Sequence, residues 1–287
     1  MSRLSTLAGA LVLLALASPA AARTWKQDWP VGTHPRIHVD TNDAHVRVHA
    51  GAPGQVHAVV EYTVRVWGLH SDVREPQVRF ERGADSVSIS ARSRSNLFVF
   101  GGLSEQFTID VTLPPECDLR VRCGDGGVEL EPVAGAIDVE TGDGHIRAQG
   151  TRGRVRLWTG DGGIDADGVD GDLTAHTNDG HLRIRGRFDR LDLHTGDGGI
   201  EASALRGSAL AGPWSVTSGD GRVLVRIPRN LAALLDASTG DGHLHVELPI
   251  ALSGEVDHHA LRGSLNGGTV PLRVRTADGS ITLALSE

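Results

Sequence analysis

CGDGGVEL at Cys123, TGDGHIRA at Thr141, TGDGGIDA at Thr159, TNDGHLRI at Thr177 and TGDGGIEA at Thr195 bring one turn back on a fixed beat. The central aspartates Asp125, Asp143, Asp161, Asp179 and Asp197 are spaced by 18 residues four times running. A repeat that strict decides the fold ahead of any local propensity. Further copies follow at wider spacing around Asp220, Asp241 and Asp278, and TNDAHVRV places an outlying one at Asp43.

Within each repeat apolar and polar residues alternate, both after the turn (Ile146, Ala148) and before the next one (Val155, Leu157). Period two means strand, so one repeat supplies two short strands and two turns. The apolar slots recur as Val128, Ile146, Ile164, Leu182 and Ile200, and as Val121, Val139, Leu157, Ala175 and Leu193. Two strands cannot bury such faces alone, whereas rungs stacked about 4.8 Å apart make a continuous narrow core. The expected fold is all-β: a parallel β-solenoid with two-strand rungs of about 18 residues, against the rival of an antiparallel meander. Charge supports the parallel register. Glu129, Arg147, Asp165, Arg183 and Glu201 alternate in sign at one outward position, as do Arg120, Asp138 and Arg156 at another, which turns repulsion between stacked neighbours into attraction.

Outward from the repeats, residues 1–22 read as a secretory leader: Arg3 begins it, Leu7 to Ala17 form its apolar run and Ser18 to Ala22 its small-residue cleavage site. Export is expected, to the periplasm, cell surface or medium. The leader's run is too short for a lasting membrane span. Residues 23–115 read as an irregular β region of first rungs and excursions that caps the solenoid, and residues 116–287 as the solenoid proper. With a net charge of −8 and Lys26 as its single lysine, the chain lacks the clustered basic face that nucleic acid requires. Cys117 and Cys123 fall on one extended segment, about 20 Å apart, too far for a disulfide.

Four groups are candidates for chemistry. Stacked turn aspartates, Asp143, Asp161, Asp179 and Asp197 among them, would form a negative column able to hold calcium. The structural alternative has each aspartate accepting turn amide hydrogen bonds while glycines such as Gly142 and Gly144 take φ > 0. His176 and His194 fall on adjacent rungs in one column, a spacing that suits a metal. His145 and His181, two rungs apart with Gly163 between, read as too distant to share an ion. The run Leu97, Phe98, Val99, Phe100 is either a lid or a partner contact. The final strand, Ile281 to Leu285, reads as an open edge through which copies associate. No nucleophile elbow, HExxH or phosphate loop occurs, so no catalytic residue or cofactor is expected.

Three stretches carry a family resemblance: FTIDVTLPPECDLRVRCGDGGVEL (Phe107 to Leu130), the T-G-D-G-x-I rungs, and GSLNGGTVPLRVRTADGSITL (Gly263 to Leu283). They resemble the DUF4097-type family of adhesin-like bacterial envelope proteins. The resemblance implies a β-solenoid at the cell envelope and brings no catalytic residues. The expected function is a non-catalytic envelope scaffold offering a repetitive charged surface to a protein, a glycan or its own copies. A glycan-active β-helix enzyme and a calcium-dependent structural module are the alternatives.

Overall fold

The computed structural model describes residues 21–70, 75–93, 99–248 and 253–286, and no helix occurs among them. They form 23 strands. The first part of the chain supplies β1 (Ala21–Pro30), β2 (Arg36–Thr41), β3 (His45–Ala50), β4 (Gln55–His70), β5 (Gln77–Arg82), β6 (Ser86–Arg92) and β7 (Val99–Leu113). The regular repeats supply β8 (Asp118–Cys123), β9 (Val128–Leu130), β10 (Ala134–Thr141), β11 (Ile146–Gln149), β12 (Arg152–Thr159), β13 (Ile164–Thr177), β14 (Leu182–Thr195) and β15 (Ile200–Ala204). After them come β16 (Trp214–Ser218), β17 (Val223–Ile227), β18 (Ala233–Thr239), β19 (Leu244–Glu247), β20 (Ser253–Val256), β21 (Ala260–Leu265), β22 (Pro271–Thr276) and β23 (Ile281–Leu285).

Pairing sorts these strands into two columns. The first runs β6, β2, β8, β10, β12, then the later halves of β13 and β14, then β16, β22 and β18, all parallel. The second runs β7, β3, β9, β11, the earlier halves of β13 and β14, then β15, β17, β23 and β19, again parallel. The register follows the repeat: Val139 lies beside Leu157 and Leu157 beside Ala175, while Ile146 lies beside Ile164 and Ile164 beside Leu182. The meander is thereby excluded for the repeats. These side chains are buried, and each valine, leucine or isoleucine among them contributes roughly 1.5–3 kcal/mol relative to exposure.

Antiparallel pairs are confined to the ends. β4 lies on β7 and β1 on β4, β5 lies on β6, and β21 lies on β18 with β20 outside it. Trp29 and Phe80 meet edge to face at 5.5 Å, as do Tyr62 and Phe107 at 5.6 Å, closing the core at the β1, β4 and β5 end.

Space order departs from chain order at both ends. β2 and β3 sit between β6–β7 and β8–β9, and β22 and β23 sit between β16–β17 and β18–β19. The open edge expected at Ile281 to Leu285 is therefore corrected: β23 has β17 on one side and β19 on the other. The chain passes outward to β18 and β19, turns back through β21, and re-enters one level inward, so its last strand is internal.

Cys117 and Cys123 are buried and free. Of the stretch read as a secretory leader, residues 1–20 lie outside the described residues. No helix among the described residues is long and apolar enough to cross a membrane.

Candidate functional site

Each repeated turn is held from inside by the residue that opens it. Thr141 Oγ1 donates toward the carbonyls of Gly124 and Gly126, both at 3.0 Å; Thr159 does so toward Gly142 and Gly144, and Thr177 toward Gly160 and Gly162. Thr195, Ser218, Thr276 and Thr239 continue the series, and Cys123 Sγ takes the same place beside the Ala44 carbonyl at 3.3 Å. The same oxygens accept from their own turns: the Gly180, Gly198 and Gly242 amides reach Thr177, Thr195 and Thr239 at 3.1–3.2 Å. A buried hydroxyl needs such partners, and here the partners are the neighbouring turn.

This ladder corrects the expected roles of aspartate and glycine. The threonines, not the aspartates, accept the turn amides; Asp125, Asp143, Asp161, Asp179 and Asp197 are exposed and have no hydrogen-bond or ion-pair partner among the described residues. In space the acidic column gains Asp43 beside Asp125 at one end, and Asp220, Asp278 and Asp241 in that order at the other. Burial together with Asp125 and Glu105 raises the Asp43 carboxyl above its ordinary range. Positive φ occurs not at Gly142 or Gly144 but at Gly135, Gly153 and Gly171, in the other corner. The second turn glycine is required by close approach: a Cβ on Gly162 would lie 2.1 Å from the Gly144 carbonyl oxygen.

The outward side of the first column carries Arg122, Glu140, Trp158, His176 and His194 in successive strands. Trp158 is 41% exposed on this face. Beside it lies a groove of about 470 Å³ lined by Asp40, Arg92, Arg122, Glu140 and Gly142. Arg92 pairs with Asp40 at 2.8 Å and Arg122 with Glu140 at 3.4 Å. His176 and His194 meet edge to face at 5.7 Å, and His176 Nε2 lies 3.5 Å from Asp192 Oδ2. That imidazole holds the Asp192 carboxyl below its ordinary range. Sequence periodicity located the two histidines, but the exposed Trp158 carried no signal beyond its outward parity.

The outward side of the second column is a ladder of alternating charge, as expected. Arg147 reaches Glu129 at 3.3 Å and Arg183 reaches Asp165 at 3.7 Å. Such exposed pairs contribute roughly 0–1 kcal/mol each, so they specify register more than stability. The reading that separated His145 from His181 is corrected: their ring centroids are 5.9 Å apart. Gly163, between them, leaves a gap into which the His181 ring leans, so close that a Cβ on Gly163 would lie 2.5 Å from His181 Cε1. Of the expected contact run, Leu97 and Phe98 lie outside the described residues; the backbones of Val99 and Phe100 pair with His70 and Leu69 on β4, and their side chains also lie outside the described set.

A family model described as Toastrack DUF4097 matches residues 34–284. Among solved structures, a "putative adhesin" from Bacteroides fragilis is 9% identical and covers 92% of this chain and 97% of its own, with a TM-score of 0.43. A "putative adhesin" from Parabacteroides merdae is 12% identical over 91% of this chain and 96% of its own, with a TM-score of 0.38. A "putative lipid binding protein" from Parabacteroides distasonis is 9% identical over the same shares, with a TM-score of 0.34. No curated protein matches the chain.

Proposed function

The chain belongs to the Toastrack DUF4097 family, and from that premise we propose that it is an exported, non-catalytic envelope scaffold whose solenoid of about 18-residue rungs binds surface glycan. The observation that carries this reading is Trp158, exposed on a sheet face beside a groove edged by ion-paired Asp40, Arg92, Arg122 and Glu140. An indole face stacks on the C–H face of a sugar ring, and the surrounding charged groups donate and accept hydrogen bonds from hydroxyls. Repetition of outward charge along the same column supports contact with a polymer, in which weak unit affinities combine.

Co-sedimentation with purified peptidoglycan sacculi tests the proposal. The protein is expected to pellet with sacculi, and Trp158→Ala is expected to remain in the supernatant while keeping its β-rich circular dichroism. Absence of wild-type protein from the pellet, or equal pelleting of the variant, would overturn the assignment of this face.

A further inference from the structure

Three consecutive strands of the second column, β11, β13 and β14, place His145, Gly163 and His181 in one line just before their first paired residues. Asp165 stands two residues beyond Gly163. Because Gly163 has no side chain, both imidazoles turn toward Asp165 from opposite sides: His145 Nε2 lies 3.0 Å from Oδ2 and His181 Nε2 lies 3.6 Å from Oδ1. The three ligand atoms all lie within 4.8 Å of one another. Asp165 Oδ1 is screened from solvent and accepts no hydrogen bond, although a carboxylate oxygen in that position is costly to leave unpaired.

We propose that His145, Asp165 and His181 bind a divalent transition-metal ion of the zinc, nickel or copper class. Two imidazole nitrogens and one carboxylate oxygen suit these ions rather than calcium or magnesium, which prefer all-oxygen sets. Ligand bonds of about 2.0–2.2 Å require the donors to close to about 3.3 Å of one another, a shift of an ångström or so that half-exposed side chains can make. Three protein ligands leave the fourth tetrahedral position to water, facing a groove also lined by Glu129 and Asp143.

Arg183 marks where the cation goes. Its Nη1 lies 3.0 Å from His181 Nε2 and 3.7 Å from Asp165 Oδ1, so the guanidinium holds a positive charge against two of the three donors. Its side chain is 63% exposed and can swing into solvent when a metal arrives. Two strands along the column, His45, Gly127 and His145 repeat the spacing, but His45 reaches Glu129 only at 3.8 Å and the His145 ring is turned to Asp165. The ligand set is not duplicated there. This site lies on the second column and is independent of the Trp158 face.

Calorimetric titration of the untagged protein with Zn²⁺, and with Co²⁺ read by its visible absorption, tests the site. One ion per chain is expected. His181→Ala and Asp165→Asn are each expected to weaken binding about tenfold or more, and His194→Ala to leave it unchanged. Arg183→Ala is expected to tighten binding severalfold, a gain that damage to the fold cannot produce. Undiminished zinc binding in the double variant His145→Ala/His181→Ala, no uptake by the wild type, or unchanged affinity in Arg183→Ala would overturn the proposal.

Discussion

Thr159 places its hydroxyl 2.8 Å from the carbonyl oxygen of Gly144 in the neighbouring turn. The bond fastens one level of the solenoid to the next at the point where the strands stop, and where backbone carbonyls would otherwise face a dry core. It repeats along the column, so the tripeptide after it can vary at its first glycine (Asn42, Asn178, Ala277) without losing the turn.

Thr159→Val keeps the shape and removes the donor. The expected loss is about 1–3 kcal/mol of unfolding free energy, because buried carbonyls are left short of a partner. Thr159→Ser should retain most of it, as Ser218 makes the same bond to Gly198 at 2.9 Å. Urea unfolding followed by circular dichroism measures both; a valine variant as stable as the wild type would show that the ladder contributes nothing.

Gly162→Ala drives a Cβ against backbone, at 2.1 Å from the Gly144 oxygen, whereas Gly163→Ala meets only the movable ring of His181 at 2.5 Å. The first substitution is expected to cost about 2–3 kcal/mol or more and the second much less. Adjacent glycines with equal penalties would contradict the packing assigned to the turn.

The turn aspartates stand in one exposed column with no ion-pair partner among the described residues. Neighbouring charges about 4.8 Å apart repel by about 1 kcal/mol in water of low salt, and less as salt screens them. Thermal midpoints are therefore expected to rise with NaCl, and to rise equally with CaCl₂ at matched ionic strength. Each turn offers one carboxylate, while its two glycine carbonyls, as at Gly142 and Gly144, are engaged by the threonine ladder and, at Gly142, by a backbone amide as well. A midpoint shift specific to calcium, abolished by chelator, would instead establish the calcium-dependent module.

Acid should leave the fold intact until late. Asp118 is held below its ordinary range by its hydrogen bond with His34, Asp189 by Arg187, and Asp192 by His176. A carboxyl depressed in the folded state stabilises fully above its unfolded value, about 3.9, and that stability is lost as pH falls through the lower folded value. Asp43, raised by burial and by its acidic neighbours, works in the opposite sense: its charge opposes folding near neutrality and the opposition fades on acidification. Thermal melts from pH 7 downward should thus show little loss until about pH 4, followed by a steep fall that is shallower in Asp189→Asn. A collapse near pH 6 would point to histidine protonation instead.

The columns were legible because a strict repeat fixes register: Val121, Val139 and Leu157 must abut once equivalent positions stack. Charge alternation at Glu129, Arg147 and Asp165 confirmed the same line from the outside. The place of β2 beside β6 and β8 was not legible, since those strands are distant in sequence and their adjacency depends on how the ends close rather than on any local period. The meeting of His145 and His181 was missed for another reason. Counting levels gives backbone separation, while imidazole rings lean along the column wherever a glycine leaves them room. The role of Thr159 was hidden because the eye of the repeat is its aspartate, which faces water.

The interleaving of β22 and β23 between earlier strands sets an order of assembly. β18 and β19 cannot settle directly on β16 and β17 as they follow them in the chain, because that place belongs to β22 and β23, which come later in the sequence. The far end of the solenoid is completed by insertion rather than by addition. Peeling it apart by force likewise cannot begin with β23, which is clasped on both sides.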